Sequence, residues 1–314
     1  MVVGAGAAGL MAARELARAG RTVTILEARE RCGGRILALP SAEFGYPAEG
    51  GAEFVHGAAA VTRAVMREAG LTLVPIQGTR WRRRDGAFSP RSDSPGPHAD
   101  RLYQALAALQ DDLPVAEFLA RHFSDARYNE LRREITRMVE GYDAADPARA
   151  STMALREEWL GHGLSNQGRI TGGYGAVIDF LAAECRRFGV AIRFGAAVTA
   201  VEASDRTALV ACADGNTHAG DAAILTVPLP ILLDIGLPPA VRETVAAAAP
   251  HIGYGNVVKI LLRFATPWWT TAGGTDLGDL SFLLSDARVP TWWTQRPDGY
   301  PVLTGWFADR KSVV

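Results

Sequence analysis

The amino-acid sequence predicts an α/β fold in which a parallel-sheet domain, assembled from separated segments, carries an inserted α+β domain. Three observations predict it. The chain opens on a strand, a glycine turn, a helix and a second strand; a mainly helical stretch follows; and after residue 168 strand and helix alternate again.

The elements follow in order. Val2-Val3 is a short apolar run, Ala7 to Ala19 a helix of small residues, and Thr22 to Leu26 a β-branched, apolar strand. Together they make one βαβ unit. Helical periodicity then covers Val61 to Ala69, Arg101 to Gln110, Val115 to His122 and Tyr128 to Val139. Thr79 to Phe88 reads as a hairpin turning at Asp85-Gly86, and Ser89 to Pro97, rich in Ser and Pro, as a loop. Arg169 to Thr171 leads through Gly172-Gly173 into a helix from Ala176 to Arg187. Ala191 to Glu202, Ala208 to Ala213 and Asp221 to Val227 are successive strands. The expected boundaries are 1–57 and 169–228 for two segments of the parallel-sheet domain, with 58–168 (mainly helical) and 229–308 (β) for the inserted one.

Composition narrows the function. Apolar residues make up 48% and charged residues 21%, a balance that supports a sizeable buried core. A net charge of −1 provides no field to recruit nucleic acid, and no apolar run reaches the roughly eighteen residues of a membrane span, so neither partner is expected. Cys32, Cys185 and Cys212 are odd in number and lack ligand spacing, which predicts neither a disulfide framework nor a metal site. The chain opens directly on a core strand rather than a signal peptide, and a cytoplasmic enzyme is the plain expectation. Oligomeric state is left open.

Gly4-Ala5-Gly6-Ala7-Ala8-Gly9 fits G-x-G-x-x-G between a strand and a helix. Gly4 permits the tight turn, Gly6 lets backbone approach a pyrophosphate, and Gly9 lets helix pack closely on strand. The helix N-terminus, with its free N–H groups and dipole, would hold the pyrophosphate. Glu27 lies eighteen residues beyond Gly9 at a strand end, where a carboxylate accepts from ribose hydroxyls and disfavours a 2′-phosphate.

The continuation points to flavin. Glu27-Ala28-Arg29-Glu30-Arg31-Cys32-Gly33-Gly34-Arg35 resembles the E-A-x-x-R-x-G-G-R signature of the flavin amine oxidase superfamily. Its members include monoamine and polyamine oxidases, L-amino-acid oxidases and relatives of the histone demethylases. The resemblance implies a Rossmann-like FAD-binding domain with an inserted α+β substrate domain. FAD would be held non-covalently by Gly4, Gly6, Ala7, Ala8, Gly9, Glu27, Ala28, Arg29, Gly34 and Arg35, with the Arg35 guanidinium on the pyrophosphate.

Further segments extend the match. Glu49-Gly50-Gly51-Ala52-Glu53-Phe54-Val55-His56-Gly57 resembles the polyamine oxidase run E-L-G-A-x-W-[IV]-[HE]-G, with Gly50 in place of Leu and Phe54 in place of Trp. It implies Gly51, Ala52 and Glu53 beside the flavin and His56 facing the amine; the plain alternative is a loop histidine at a domain junction. Gly172-Gly173-Tyr174, the strand from Ala197 to Val201 and the strand from Asp221 to Pro228 resemble family segments, with Val198 at the adenine. Gly253 to Ile260, with Phe264 and Trp268, resembles G-x-x-x-K-[VI]-x-L-x-F…W, whose lysine holds a water at flavin N5. That role would fall to Lys259; the alternative is a lysine on the exposed side of a strand.

Two features are read conservatively. Arg80, Arg82, Arg83 and Arg84 around Trp81 are expected to form a solvated strand rather than a nucleic-acid patch. The pairs Trp268-Trp269 and Trp292-Trp293 are expected in the core rather than along a substrate channel.

The implied activity is oxidation of a C–N bond of a small-molecule amine, a polyamine or a primary or secondary amine. A hydride passes from the carbon beside nitrogen to flavin N5, the imine hydrolyses, and O2 reoxidises the flavin to give H2O2. The alternatives are another superfamily oxidoreductase (desaturase or protoporphyrinogen oxidase-like), a non-catalytic FAD-binding scaffold, or a nicotinamide dehydrogenase, which Gly33-Gly34-Arg35 opposes. Family members continue past this chain's end with an F-A-G-E strand, a glycine-rich turn and the aromatic residues around the amine. The chain is therefore expected to be C-terminally truncated and inactive by itself. Residues 309–314, Asp-Arg-Lys-Ser-Val-Val, are expected to be a non-native tail, since they translate GATCGGAAGAGCGTCGTG, which resembles a sequencing adapter.

Overall fold

Two apolar strands joined by a glycine turn and a helix must pair in parallel, because the helix carries the chain back to its starting end. The computed structural model, which describes residues 1–91, 96–161 and 167–308, has this arrangement. Val2 and Val3 lie opposite Ile25 and Leu26, with Ala7–Arg18 as the crossover helix. Ile224–Leu225 pairs on the other side of Val2–Val3, and Ala191–Arg193 pairs beyond Thr24–Leu26, completing a four-stranded parallel sheet. The fold is α/β with a Rossmann-like parallel sheet.

Close packing of helix on strand depends on Gly9. A Cβ there would lie 1.9 Å from the carbonyl oxygen of Gly4 and 2.8 Å from Thr226 Oγ1. The Thr226 hydroxyl donates to Val3 O at 2.8 Å, so Ile224–Leu225 and the glycine turn are locked together. Helix Gly175–Arg187 packs beside Ala7–Arg18 around Leu10, Ala13, Val177, Leu181 and Cys185.

The stretch Ala191 to Glu202, read above as one strand, is divided. Gly195, at φ 66°, turns the chain so that Ala191–Arg193 stays in the parallel sheet. Val198–Ala203 instead joins Ala208–Cys212 and Thr217–Gly220 in an antiparallel one. The last of these strands, carrying Thr217 and His218, shows no apolar pattern in the sequence.

A third, six-stranded sheet has the order Val257–Arg263, Val302–Ala308, Thr291–Trp293, Leu280–Ser285, Thr79–Arg84, Ala87–Pro90. The last two form the hairpin, turning through Asp85 (φ 49°) and Gly86 (φ 84°) in the left-handed conformation two-residue hairpins need. Ser89 and Pro90, expected in a loop, belong to its second strand; part of that loop and the tail at 309–314 lie outside the described residues. Helices between 99 and 160 enclose their own core of Leu102, Leu106, Phe118, Leu131, Ile135 and Val139.

One of these helices, Asn129–Gly141, is tied to the sheet by charge. Arg82 meets Glu134 at 2.5 Å, Arg84 meets Glu130 at 2.9 Å, and Arg137 pairs with Asp286. The arginine-rich strand is thus not the solvated face the sequence suggested. Its alternate residues point at carboxylates that only the tertiary fold brings near. Among the described residues no helix is long and apolar enough to cross a membrane.

Glu49 fastens the second half of the parallel-sheet region to the first. Its Oε1 accepts from the backbone N–H groups of Tyr174 and, at 3.3 Å, Gly175, at the start of helix Gly175–Arg187. The residue is 5% exposed, and its buried Oε2 has no partner. Burial pushes the carboxyl up to about 7, against the backbone donors and the charge of Lys259, which act to lower it. Because the folded value exceeds the ordinary 4.5, the native state keeps a proton that the unfolded chain has released. Stability therefore falls as pH rises through that window. Glu49→Gln should flatten this part of the profile, by about 3 kcal/mol between pH 4.5 and 7. Urea denaturation of both proteins across the range checks it; parallel profiles would show that Glu49 titrates normally.

Candidate active site

The glycine turn forms one half of the site. Helix Ala7–Arg18 begins at Gly6 with no side chain capping it, and Ala7 and Ala8 in its first turn are exposed. Its first N–H groups therefore have no side-chain acceptor, and such a helix start could hold an anion. A Cβ on Gly6 would meet nothing within 4 Å, unlike Gly9, so the space over Gly6 is kept open by no protein contact. This is the room a dinucleotide backbone requires.

The loop after Thr24–Leu26 closes under that space. Gly33 donates to Ala5 O at 2.8 Å, and a Cβ on Gly34 would come within 3.5 Å of the Gly6 Cα. Both glycines have positive φ, 110° and 59°. Buried Glu27 joins the two loops, accepting from the Ala5 N–H at 2.7 Å and the Arg29 N–H at 2.9 Å. Ala28 and Arg35 are exposed, and Arg29 Nη1 reaches Gly34 O at 3.4 Å. Arg31, to which the sequence reading assigned no role, clamps the loop through the carbonyls of Cys32, Gly34 and Ile36 at 3.0–3.2 Å. Val198 starts the first strand of the antiparallel sheet and packs against the cluster that contains Val3 and Leu26.

The second half is built around Glu53. Its side chain is 5% exposed and that of Lys259 7%. Lys259 Nζ donates to Glu53 Oε2 at 2.8 Å and to Gly51 O at 3.0 Å. Arg169 Nε donates to Glu53 Oε1 at 2.8 Å, and the Trp293 indole N–H lies 3.0 and 3.1 Å from the two oxygens. Burial acts to raise the Glu53 pKa, but the charges of Lys259 and Arg169 outweigh it and hold the carboxyl below its usual range. The cluster carries two cations and one anion. Lys259 is not the solvated lysine of an exposed strand face.

The two halves touch. Ala52 N–H donates to Arg35 O at 3.1 Å, and a Cβ on Gly51 would lie 2.0 Å from that oxygen. Gly51, Ala52 and Lys259, with His56, Trp293 and Trp306, border a cavity of about 480 Å³. His56 Nδ1 is 3.1 Å from Gln167 Nε2, and desolvation lowers its pKa. Trp293, discounted in the sequence reading, is buried as expected yet lines this cavity; Trp268 is exposed and Trp269 buried in a separate cluster. Arg169 was also missed, because its partner lies 116 residues away and no motif marks it.

The comparisons with known proteins agree with this geometry. The family described as flavin containing amine oxidoreductase matches residues 7–313. Polyamine oxidase 2 of Arabidopsis thaliana is 30% identical over 302 residues, which cover 86% of this chain and 59% of that protein. Lysine-specific histone demethylase 1B of Mus musculus is 27% identical over 296 residues, 86% of this chain and 35% of that one. Among solved structures, putrescine oxidase bound to putrescine superposes with a TM-score of 0.79 at 21% identity, covering 98% of this chain and 75% of that one. Cyclohexylamine oxidase from Brevibacterium oxydans IH-35A gives 0.78 at 19%, covering 98% and 74%. The chain thus spans 58–59% of the length of the first plant polyamine oxidases it matches. With a parallel sheet, an open glycine cradle and a family match over nearly its whole length, the chain belongs to the flavin-containing amine oxidoreductases.

Proposed function

We propose that this protein binds FAD non-covalently and oxidises a C–N bond of a small amine, a polyamine or a primary or secondary amine, with O2 as acceptor and H2O2 as product. The observation that carries the reading is the buried Lys259 ammonium, held by Gly51 O and Glu53 beside the cavity. Two of its three N–H donors are used there, which leaves one for a water in the cavity. FAD, when bound, supplies the two-electron acceptor.

The chain's own residues supply position and charge. In this reading Glu27 receives the ribose, the uncapped helix start at Gly6, Ala7 and Ala8 receives the pyrophosphate with Arg35, and Val198 lies by the adenine. Residues 1–57 and 169–228 form the cofactor domain, and 58–168 and 229–308 the substrate domain. Glu53 is a positioning residue whose oxygens are occupied by Lys259, Arg169 and Trp293. The net positive charge of that cluster opposes an ammonium and favours the neutral amine from which oxidation proceeds. His56, with its lowered pKa, is neutral at pH 7 and can accept the amine proton.

Two glycines separate folding from cofactor binding. Gly9→Ala should destabilise the apoprotein by roughly 1–3 kcal/mol or more through the clash with Gly4 O. Gly6→Ala should leave apoprotein stability within about 1 kcal/mol yet weaken FAD binding about tenfold or more. Denaturation midpoints and flavin titration check both. Unchanged FAD affinity in Gly6→Ala would remove the dinucleotide from the cradle.

Lys259→Met should slow flavin reduction or reoxidation on the order of a hundredfold. It also leaves Glu53 with one cation fewer, and breaking a buried ion pair costs about 3–5 kcal/mol. The double variant Lys259→Met/Glu53→Gln should be less stable still, because it leaves Arg169 without its carboxylate, and should not recover the rate. Stopped-flow kinetics beside thermal unfolding resolve the two effects; flavin steps matching the parent in either variant would make Lys259 purely structural.

A further inference from the structure

We infer that Gln167 is a positioning residue for His56: its side-chain amide accepts from the imidazole Nδ1–H and so leaves Nε2 as the nitrogen that takes the amine proton. This deepens the amine-oxidising reading and rests on it. Backbone register carries the argument. Val55 and Gly168 form an antiparallel bridge and exchange both backbone hydrogen bonds, at 2.9 and 3.1 Å. The opposed pairs on either side are therefore Phe54 with Arg169 and His56 with Gln167. Side chains alternate along extended backbone, so Val55 turns into the core while those two pairs share the other face. Both pairs are in contact there. The Arg169 guanidinium lies 4.7 Å from the Phe54 ring centroid, and Gln167 Nε2 lies 3.1 Å from His56 Nδ1.

The second side of this segment is pinned as well. Leu73–Pro75 pairs with Gly168–Ile170, and the Ile76 N–H donates to Gln167 O at 3.3 Å. A Cβ on Gly168 would lie 2.7 Å from both Leu73 Cγ and Val74 O, so only glycine lets the three chains come this close. Gln167 thus stands at a fixed register position, on the same short segment as Arg169, which holds Glu53. One ladder places both side chains, and His56 and Gln167 border the cavity together with Glu53 and Lys259.

A neutral imidazole carries one proton, and the partner of one nitrogen sets the role of the other. Among the described residues Gln167 is the hydrogen-bond partner of the His56 ring, and His56 that of the Gln167 amide. A half-turn of the amide exchanges its nitrogen and oxygen, and no other contact dictates which end faces the ring. Proton transfer does. The N–H bond of the substrate ammonium breaks, an Nε2–H bond forms, and both ring nitrogens are then donors. An amide nitrogen at Nδ1 would set donor against donor, whereas Oε1 accepts from Nδ1–H before and after the transfer. The nearby charged groups are engaged elsewhere. Arg169 and Lys259 are held by Glu53, and Arg63, on the helix after Gly57, donates to the carbonyls of Gly57 and Ala58. Arg80, Arg82, Arg91, Glu134, Arg137 and Asp286 belong to the far wall. Burial lowers the His56 pKa, so the ring is neutral at pH 7.

The test uses the FAD-loaded protein with isotope-labelled histidine. Nitrogen chemical shifts read the tautomer of each of the six histidines, His56→Asn identifies the signal, and neither amine nor turnover is needed. The expected result at neutral pH is an Nδ1–H ring at His56 in the parent. Gln167→Met, which keeps the length and removes the amide, should lose that form. Gln167→Glu, which only accepts, should retain it, and its charge should raise the His56 pKa. Anaerobic flavin reduction by an alkylamine gives a second readout. Gln167→Met should slow it about tenfold or more at neutral pH. The gap should close toward about pH 10, where an alkylamine arrives already neutral. Gln167→Glu should move the acid limb of the profile to higher pH. Circular dichroism and flavin content confirm folded protein. An Nε2–H ring in the parent, a tautomer that survives Gln167→Met, or a rate that is unchanged or falls equally at every pH would overturn the assignment. If no amine reduces the flavin, the oxidation reading fails on its own. A tautomer change in Gln167→Met would then still uphold Gln167 as the residue that sets the ring, and no change would sink it.

Discussion

The buried carboxylate of Glu53 is the constraint on which the site depends. A charge removed from water costs several kcal/mol unless partners replace its solvation. Here they come from three separate segments: Lys259 from the edge strand Val257–Arg263, Arg169 from Gly168–Ile170, and Trp293 from Thr291–Trp293. Arg169 also donates to the carbonyls of Thr294 and Arg296 at 2.9 Å. The carboxylate thus fixes where the six-stranded sheet sits against the segment around residue 51.

That placement links the glycine cradle to the cavity. Gly51 and Ala52 lie in backbone contact with Arg35 at the end of the cradle loop, and Gly51 O is also an acceptor for Lys259. No side chain fits between these strands of backbone, which is why the segment needs small residues. The helix start in the cradle carries donors that no side chain caps. The Glu53 cluster instead places net positive charge at the cavity wall. One loop contact sets the distance between these two chemically different regions.

Charge also organises the far side of the cavity. The pairs Arg82–Glu134, Arg84–Glu130 and Arg137–Asp286 hold helix Asn129–Gly141 over the sheet. Those with an exposed partner contribute little to stability, but they fix which side chains face inward. The same strand that braces the helix therefore presents Arg80 and Arg82 to the cavity.

What the sequence by itself determined was local. The βαβ opening, the glycine turn, the Asp85-Gly86 hairpin and the helices from 60 to 141 were legible, because each depends on residues close in the chain. So were the cradle residues Gly4, Gly6, Gly9 and Glu27, whose spacing encodes a turn and a strand end. The fold alone decided what lies across the chain. The division of 191–202 followed from Gly195, whose turn interrupts an otherwise continuous apolar pattern. The parallel pairing of Thr79–Arg84 with Leu280–Ser285 joins segments far apart in the chain and leaves no periodic trace. Arg169 and Trp293 looked like an ordinary strand residue and an ordinary core tryptophan. Their importance comes from the buried carboxylate they meet, and the solvation of a charge is set by whatever surrounds it in space, whatever its distance along the chain.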